Sequence, residues 1–133
     1  MALVVTTQGE IVLLESLLGI NPLVSVTYHL YANNWIPSVT DTLADYLEVS
    51  LTGYAPISIP AAAWAVIADN LGGAIGTAPE IAWLITQAGP AYGYYVTDPA
   101  DTVLLWAEAI PGGPYTFLAD GSSFSLTPSF SAD

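Results

Sequence analysis

The sequence predicts a mainly β protein: an antiparallel β-sandwich or open barrel of about seven or eight short strands with one N-terminal α-helix. Three observations predict it. Apolar and polar residues alternate at a period of two in several segments of the 133-residue chain. Clusters of Pro, Gly, Asn and Asp interrupt those segments at intervals of roughly eight to twelve residues. Only one early segment carries a helical period. The length suits a single domain over residues 1–133, with a helix over about 8–18 and the sandwich over about 23–130.

The helix is predicted from Thr7-Gln-Gly-Glu10, which fits a capping box with Thr7 as N-cap and Glu10 at N3. Ile11, Leu14, Leu17 and Leu18 recur behind it at helical spacing, and Gly19 and Pro22 close it. This apolar face should dock on the domain or on a neighbour. After Pro22 the period becomes two. Val24, Val26, Tyr28 and Leu30 point one way, and Ser25, Thr27, His29 and Tyr31 the other, as in a half-buried strand. Asn33-Asn34 end it, and Trp35-Ile-Pro37 opens a loop.

Asp41 and Thr42 can cap a short helical turn over 42–46. Glu48–Leu51 reads as a short extended piece, Gly53-Tyr-Ala-Pro56 as a turn and Ile57–Ile59 as a strand. Ala61–Ala68 is helix-like by propensity yet too short to separate from a strand. Asp69–Gly73 reads as a loop and Glu80–Thr86 as a strand, with Ile81, Trp83 and Ile85 on one face. Gln87–Pro90 is a break. Tyr92–Val96 and Thr102–Ala109 read as strands joined by the turn Thr97–Asp101. Pro111–Pro114 is a second break, and Ser123–Phe130 keeps one alternating parity to the end.

Composition narrows function more than any motif does. The chain has no Lys and no Arg, 12 Asp and Glu, one His and a formal charge of −12, yet 53% of it is hydrophobic. Without basic side chains it cannot clamp phosphates, neutralise a nucleic-acid backbone or bind an anionic membrane surface. It has no Cys, so disulfides, thiolate metal sites and cysteine nucleophiles are excluded. Its longest apolar stretch, Ala61–Ala68, falls short of the roughly 18 residues that a membrane helix needs. The N-terminus lacks the positively charged start of a signal peptide, so a soluble, non-secreted product is expected. Lys is also the usual guard on exposed strand edges. Its absence, with the excess of apolar residues, predicts surfaces covered by neighbouring subunits.

The candidate chemistry is sparse. His29 is the only imidazole, but no Gly-x-Ser-x-Gly elbow accompanies it, and a structural or interface role is expected. Asp98 and Asp101 could hold a calcium ion, but Asp-Pro-x-Asp is also an ordinary turn. The glycines at 72, 73 and 76 come without the lysine of a phosphate loop. Trp83 and Trp106 read as core residues on strands. Exposed aromatics can also stack on sugar rings, which leaves a carbohydrate-binding module open. No catalytic residue, cofactor or metal site is expected. The interface candidates are Trp35 and Trp64, which lie outside clear alternation, Tyr54 in a turn, and Leu14 and Leu18 on the helix.

Several short pieces in order resemble a family of small virion proteins of tailed bacteriophages. They are Gly9-Glu-x-x-Leu-Leu14, Leu30-Tyr-Ala-Asn-Asn34, Gly53-Tyr54, Tyr92-Gly-Tyr-Tyr-Val96, Leu104-Leu-Trp-Ala-Glu108 and Leu126-Thr-Pro-Ser-Phe130. The members compared keep surface Lys and Arg, and this chain has neither. The resemblance implies a structural role in the virion, of capsid-decoration or tail-associated type. The expected partners are the major capsid protein or other virion proteins and further copies of the chain, a trimer being favoured.

Overall fold

The computed structural model describes residues 3–68 and 72–132. The chain enters through β1 (Val4–Val5) and turns at once into α1 (Thr7–Leu17). There follow β2 (Ser25–Tyr31), β3 (Ile57–Pro60), β4 (Ala65–Ala68), β5 (Ala74–Thr77), β6 (Ile81–Ile85) and β7 (Gly89–Ala91). The chain is completed by β8 (Gly93–Thr97), β9 (Leu104–Ala109), β10 (Tyr115–Phe117), β11 (Ser122–Leu126) and β12 (Ser129–Ala132). The fold is mainly β and antiparallel, with one helix near the N-terminus, as the alternation predicts. It has twelve strands among the described residues rather than about seven or eight.

The extra strands come from segments too short or too atypical for periodicity to register. β5 is Ala-Ile-Gly-Thr and β10 is Tyr-Thr-Phe. β7 runs through Pro90, where a break is expected from sequence, because it pairs only with β10 and lacks a neighbour that needs the missing N–H. The C-terminal segment, one piece by parity, is divided into β11 and β12 around Pro128. Ala61–Ala68 resolves into a 3₁₀ turn at Ala61–Ala63 followed by β4. Asp69, Asn70 and Leu71 of the predicted loop lie outside the described residues.

Five strands form the main sheet in the order β1-β9-β8-β2-β3. Three small sheets, β10-β7, β11-β6 and β12-β5-β4, share a core with it. Val26, Tyr28, Leu30, Tyr94, Val96 and Trp106 of the main sheet meet Trp83, Ile85, Ala91 and Phe117 of the small sheets. The other face of the main sheet is also covered. Tyr31, Tyr95, Leu104 and Ala107 pack with Tyr46, which follows a 3₁₀ turn at Leu43–Asp45. The half-buried strand expected at 23–31 is therefore buried on both faces over Tyr28–Tyr31. The loop after β2 folds back as a second lid, held by Ala32 N–H to Leu47 C=O (2.7 Å) and Val49 N–H to Leu30 C=O (2.9 Å).

Helix α1 starts one residue earlier than the capping box predicts. Thr6, not Thr7, is the N-cap, and its hydroxyl accepts from Gly9 N–H at 2.9 Å. The same hydroxyl donates to the Leu104 carbonyl of β9, so one buried side chain fixes both the helix start and its seat on the sheet. At the other end Gly19 takes φ 73°, Ile20 N–H reaches Glu15 C=O and Gly19 N–H reaches Ser16 C=O, which completes a Schellman cap. The helix buries Gly9, with Val12 and Leu13 packed on the core. Ile11, Leu14, Leu17 and Leu18 face outward. No helix among the described residues is long and apolar enough to cross a membrane.

A Cβ on Gly9 would overlap the Leu105 carbonyl and come within 2.8 Å of Leu105 Cα. Helix propensity alone favours Gly9→Ala by about 1 kcal/mol. The backbone clash opposes it, and a net loss of about 2 kcal/mol is expected in urea unfolding. A stabilised variant would show that the helix does not sit against β9 at backbone distance.

Candidate functional site

The densest polar cluster is built around His29. Antiparallel register sets His29 of β2 opposite Tyr95 of β8, and the two rings stack with centroids 4.7 Å apart. His29 Nδ1 lies 2.6 Å from Glu48 Oε2. His29 Nε2 lies 3.0 Å from Thr97 Oγ1 and 3.1 Å from Asp101 Oδ1. The Thr97 hydroxyl donates to Asp101, and the Tyr54 hydroxyl donates to Glu48 Oε2 at 2.7 Å while accepting from Leu30 N–H. Asp101 reaches the ring from a left-handed backbone conformation, φ 55°, which Asp tolerates better than most residues.

Thr97, His29 and Glu48 stand in the order of nucleophile, base and orienting acid. Two facts separate the cluster from a working triad. Thr97 is 1% exposed, and its proton is committed to Asp101. Three cavities of the described structure are lined by other side chains. The arrangement joins β2, β8, the 98–101 turn and the Glu48 segment.

Three further carboxylates are held by uncharged donors. Asp41, 4% exposed, accepts through Oδ2 from Ser38 N–H (2.8 Å), Trp35 Nε1–H (2.9 Å) and the Tyr46 hydroxyl (2.7 Å). Glu108 accepts from the Tyr94 hydroxyl at 2.8 Å. Asp98 accepts from Thr102 N–H, Val103 N–H and the Thr102 hydroxyl. Burial by itself would raise the Asp98 pKa, but these three donors outweigh it and hold the carboxyl below its ordinary value. Asp98 and Asp101 therefore serve different partners, Asp98 the Thr102–Val103 backbone and Asp101 the His29 ring and Thr97. Tyr28 is the counter-case. Its hydroxyl and the Trp106 indole N–H have no well-formed hydrogen bond among the described residues. The rings meet edge to face at 6.4 Å, and the N–H only partly offsets the burial that raises the Tyr28 pKa.

The interface candidates fall in four places. Leu14 and Leu18 come together on the outward stripe of α1, with Ile11 and with Leu17 at 80% exposure. Trp64 lines an apolar cavity of about 480 Å³ between α1, β2, β3 and the β4–β5 hairpin, floored by Trp106 and Phe130. Trp35 is partly exposed and borders a smaller cleft with Asn34, Ile36 and Tyr92. Tyr54 is turned inward to Glu48. Trp83 and Trp106 are core residues, as strand alternation predicts.

Sequence reasoning missed Glu48, Thr97 and Tyr95 as partners of His29. Their proximity depends on the β2–β8 pairing and on the fold-back of residues 47–49, neither of which leaves a local signal. No family model, curated protein or solved structure matches the chain.

Burial and nearby carboxylates raise the pKa of six tyrosines. Burial and then the Asp41 charge push Tyr31 up to about 12. Tyr28, Tyr46, Tyr54, Tyr94 and Tyr95 are raised further, chiefly by burial. A raised folded-state pKa means that the fold favours the protonated phenol. Its contribution is complete below the unfolded value of about 10 and is lost as pH rises beyond it. The chain has no Lys, Arg or Cys to titrate in that range. Phenolate absorbance from these six is therefore expected to appear late and together with cooperative unfolding above roughly pH 10. Ionisation of these six near their ordinary pKa with the fold intact would contradict this burial pattern.

Proposed function

We propose that this protein is a non-enzymatic structural component of a tailed-phage virion, and within it a decoration or cement protein on the capsid exterior. One observation carries the reading: the outward stripe of Ile11, Leu14, Leu17 and Leu18 on α1. The helix is already anchored through Thr6, Gly9, Val12 and Leu13, so its second apolar face has no work to do within the domain. A stripe of this kind fits a groove on another protein as i, i+3, i+7 anchors. Glu10 and Glu15 lie on the same helix, and the chain carries −12 with no basic residue. Its rim therefore complements basic patches on a shell protein, which favours register and association rate more than affinity. Further copies of the chain, in a trimer, would share the shell site.

The ordered pieces that resemble small phage virion proteins support the same reading. A tail, baseplate or fibre-associated component is the nearest alternative, and the copy number of the chain in purified particles separates the two. A copy number in step with the shell subunits supports decoration, and a few copies per particle support the tail. A sugar-binding module has one observation in its favour, the cleft that Trp35 shares with Tyr92.

Leu14→Asp and Leu18→Asp change exposed side chains and are expected to alter unfolding stability by no more than about 0.5 kcal/mol. Each should weaken binding of the purified protein to shells by about tenfold or more, as loss of an interface anchor does. Unchanged binding by both variants would remove the helix stripe from the contact and with it the support for this reading.

A further inference from the structure

We infer that β4 is a self-pairing edge, through which two copies of this chain join their small sheets into one. β4 lies at the end of the β12-β5-β4 sheet and pairs on one side only, with β5. Its four residues, Ala65-Val-Ile-Ala68, are exposed on both faces, Val66 at 71% and Ile67 at 65%. Alternate N–H and C=O groups on its outer side are thus a ready template for another strand. Most other edges of the described structure are blunted: β3 ends in Pro60, β7 contains Pro90, β1 has two residues and β10 three, and Ser makes up much of β11 and β12. β6 is also an edge without Pro or charge, but Trp83 and Ile85 are buried on it, whereas β4 is exposed at every residue. β4 has no Pro, no charge and no bulge.

Charge selects the partner. Each copy carries −12, so most faces of two copies repel one another. Between Glu48 and Glu80 the sequence has a single acid, Asp69. β4 and β5 contain none. A basic protein gains nothing from this edge, whereas a second copy presents the same neutral, β-branched strand without bringing carboxylates together.

Geometry restricts the contact further. Directly opposed residues in a sheet point to the same face, so a two-fold axis through an antiparallel pair requires one residue to face its own copy. The centre is then Val66 or Ile67. Centred on Val66, Ala65 opposes Ile67 and Ala68 opposes Trp64; centred on Ile67, Val66 opposes Ala68; in either register two three-stranded sheets become a single six-stranded one. This goes beyond the assembly reading above, since a two-fold edge contact is not the three-fold contact of a trimer and joins copies at a separate place. It is a two-fold contact, distinct from the docking of α1 on a shell.

The test is sedimentation velocity of the full chain over a concentration series, with circular dichroism to verify folding. The natural sequence should show a monomer–dimer equilibrium. Ile67→Lys should weaken it by about tenfold or more, a change of about 1.4 kcal/mol. Leu118→Lys, which adds the same charge at another exposed position, should not. If Ile67→Lys fails to fold, Ala68→Lys on the same edge takes its place. A protein that stays monomeric at every concentration overturns the proposal. So does a dimer or trimer that withstands the edge lysine. Because the readout uses isolated protein, either result leaves the particle-based test of function independent.

Discussion

Asp41 is a nearly fully buried carboxylate in a chain that offers it no lysine or arginine. Burying such a charge is costly unless hydrogen bonds replace its water. Here a backbone N–H, an indole N–H and a phenol converge on one oxygen. Glu48 is held in the same way by Tyr54 and His29, and Glu108 by Tyr94. Hydrogen bonds to a carboxylate are roughly twice as strong as neutral ones. Because the backbone, indole and phenol donors are uncharged, they come without a second ion to desolvate. The abundance of tyrosine is thus tied to the absence of cations. The rings fill the core and the hydroxyls hold the acids.

The same constraint shapes the surface. Carboxylates without opposite charges repel one another, and several of them stand at turns, such as Asp98, Asp101 and Asp120. Uncharged apolar surface is left over on α1 and β4, where no lysine or arginine guards it. The two patches differ. The helix stripe is flanked by acids and suits a basic partner. The strand edge is neutral and suits a copy of itself.

The architecture was legible where the sequence carried a strong period. β2, β6, β8 and β9 stand within a few residues of their predicted places because each buries a regular set of side chains, and the helix does so although its predicted apolar stripe faces outward. The legibility failed where tertiary pairing overrode local preference. Pro90 lies inside a strand, Gly76 inside another, and Ala61–Ala68 divides between a 3₁₀ turn and a strand. The helix cap moved from Thr7 to Thr6 because the Thr6 hydroxyl has a second partner on β9, more than ninety residues away in sequence. The His29 cluster was invisible for a similar reason. Glu48, Thr97 and Asp101 are scattered along the chain, and only strand register and one left-handed turn residue bring them to the ring. The outward stripe of α1, by contrast, was readable as an apolar face. Which side of the helix met the core was decided by Gly9, the one residue small enough for contact with β9.

A fold held by carboxylate–phenol and carboxylate–imidazole contacts rather than by ion pairs has a particular response to salt. Most of its long-range electrostatics is repulsion among acids, which ions screen, while its short buried hydrogen bonds are screened little. Urea unfolding at pH 7 in sodium chloride from about 0.01 M to about 1 M, where the Debye length falls from roughly 30 Å to 3 Å, tests this directly. The account predicts that stability rises with salt. A fall in stability would mean that attractive charge pairs dominate, and would contradict it.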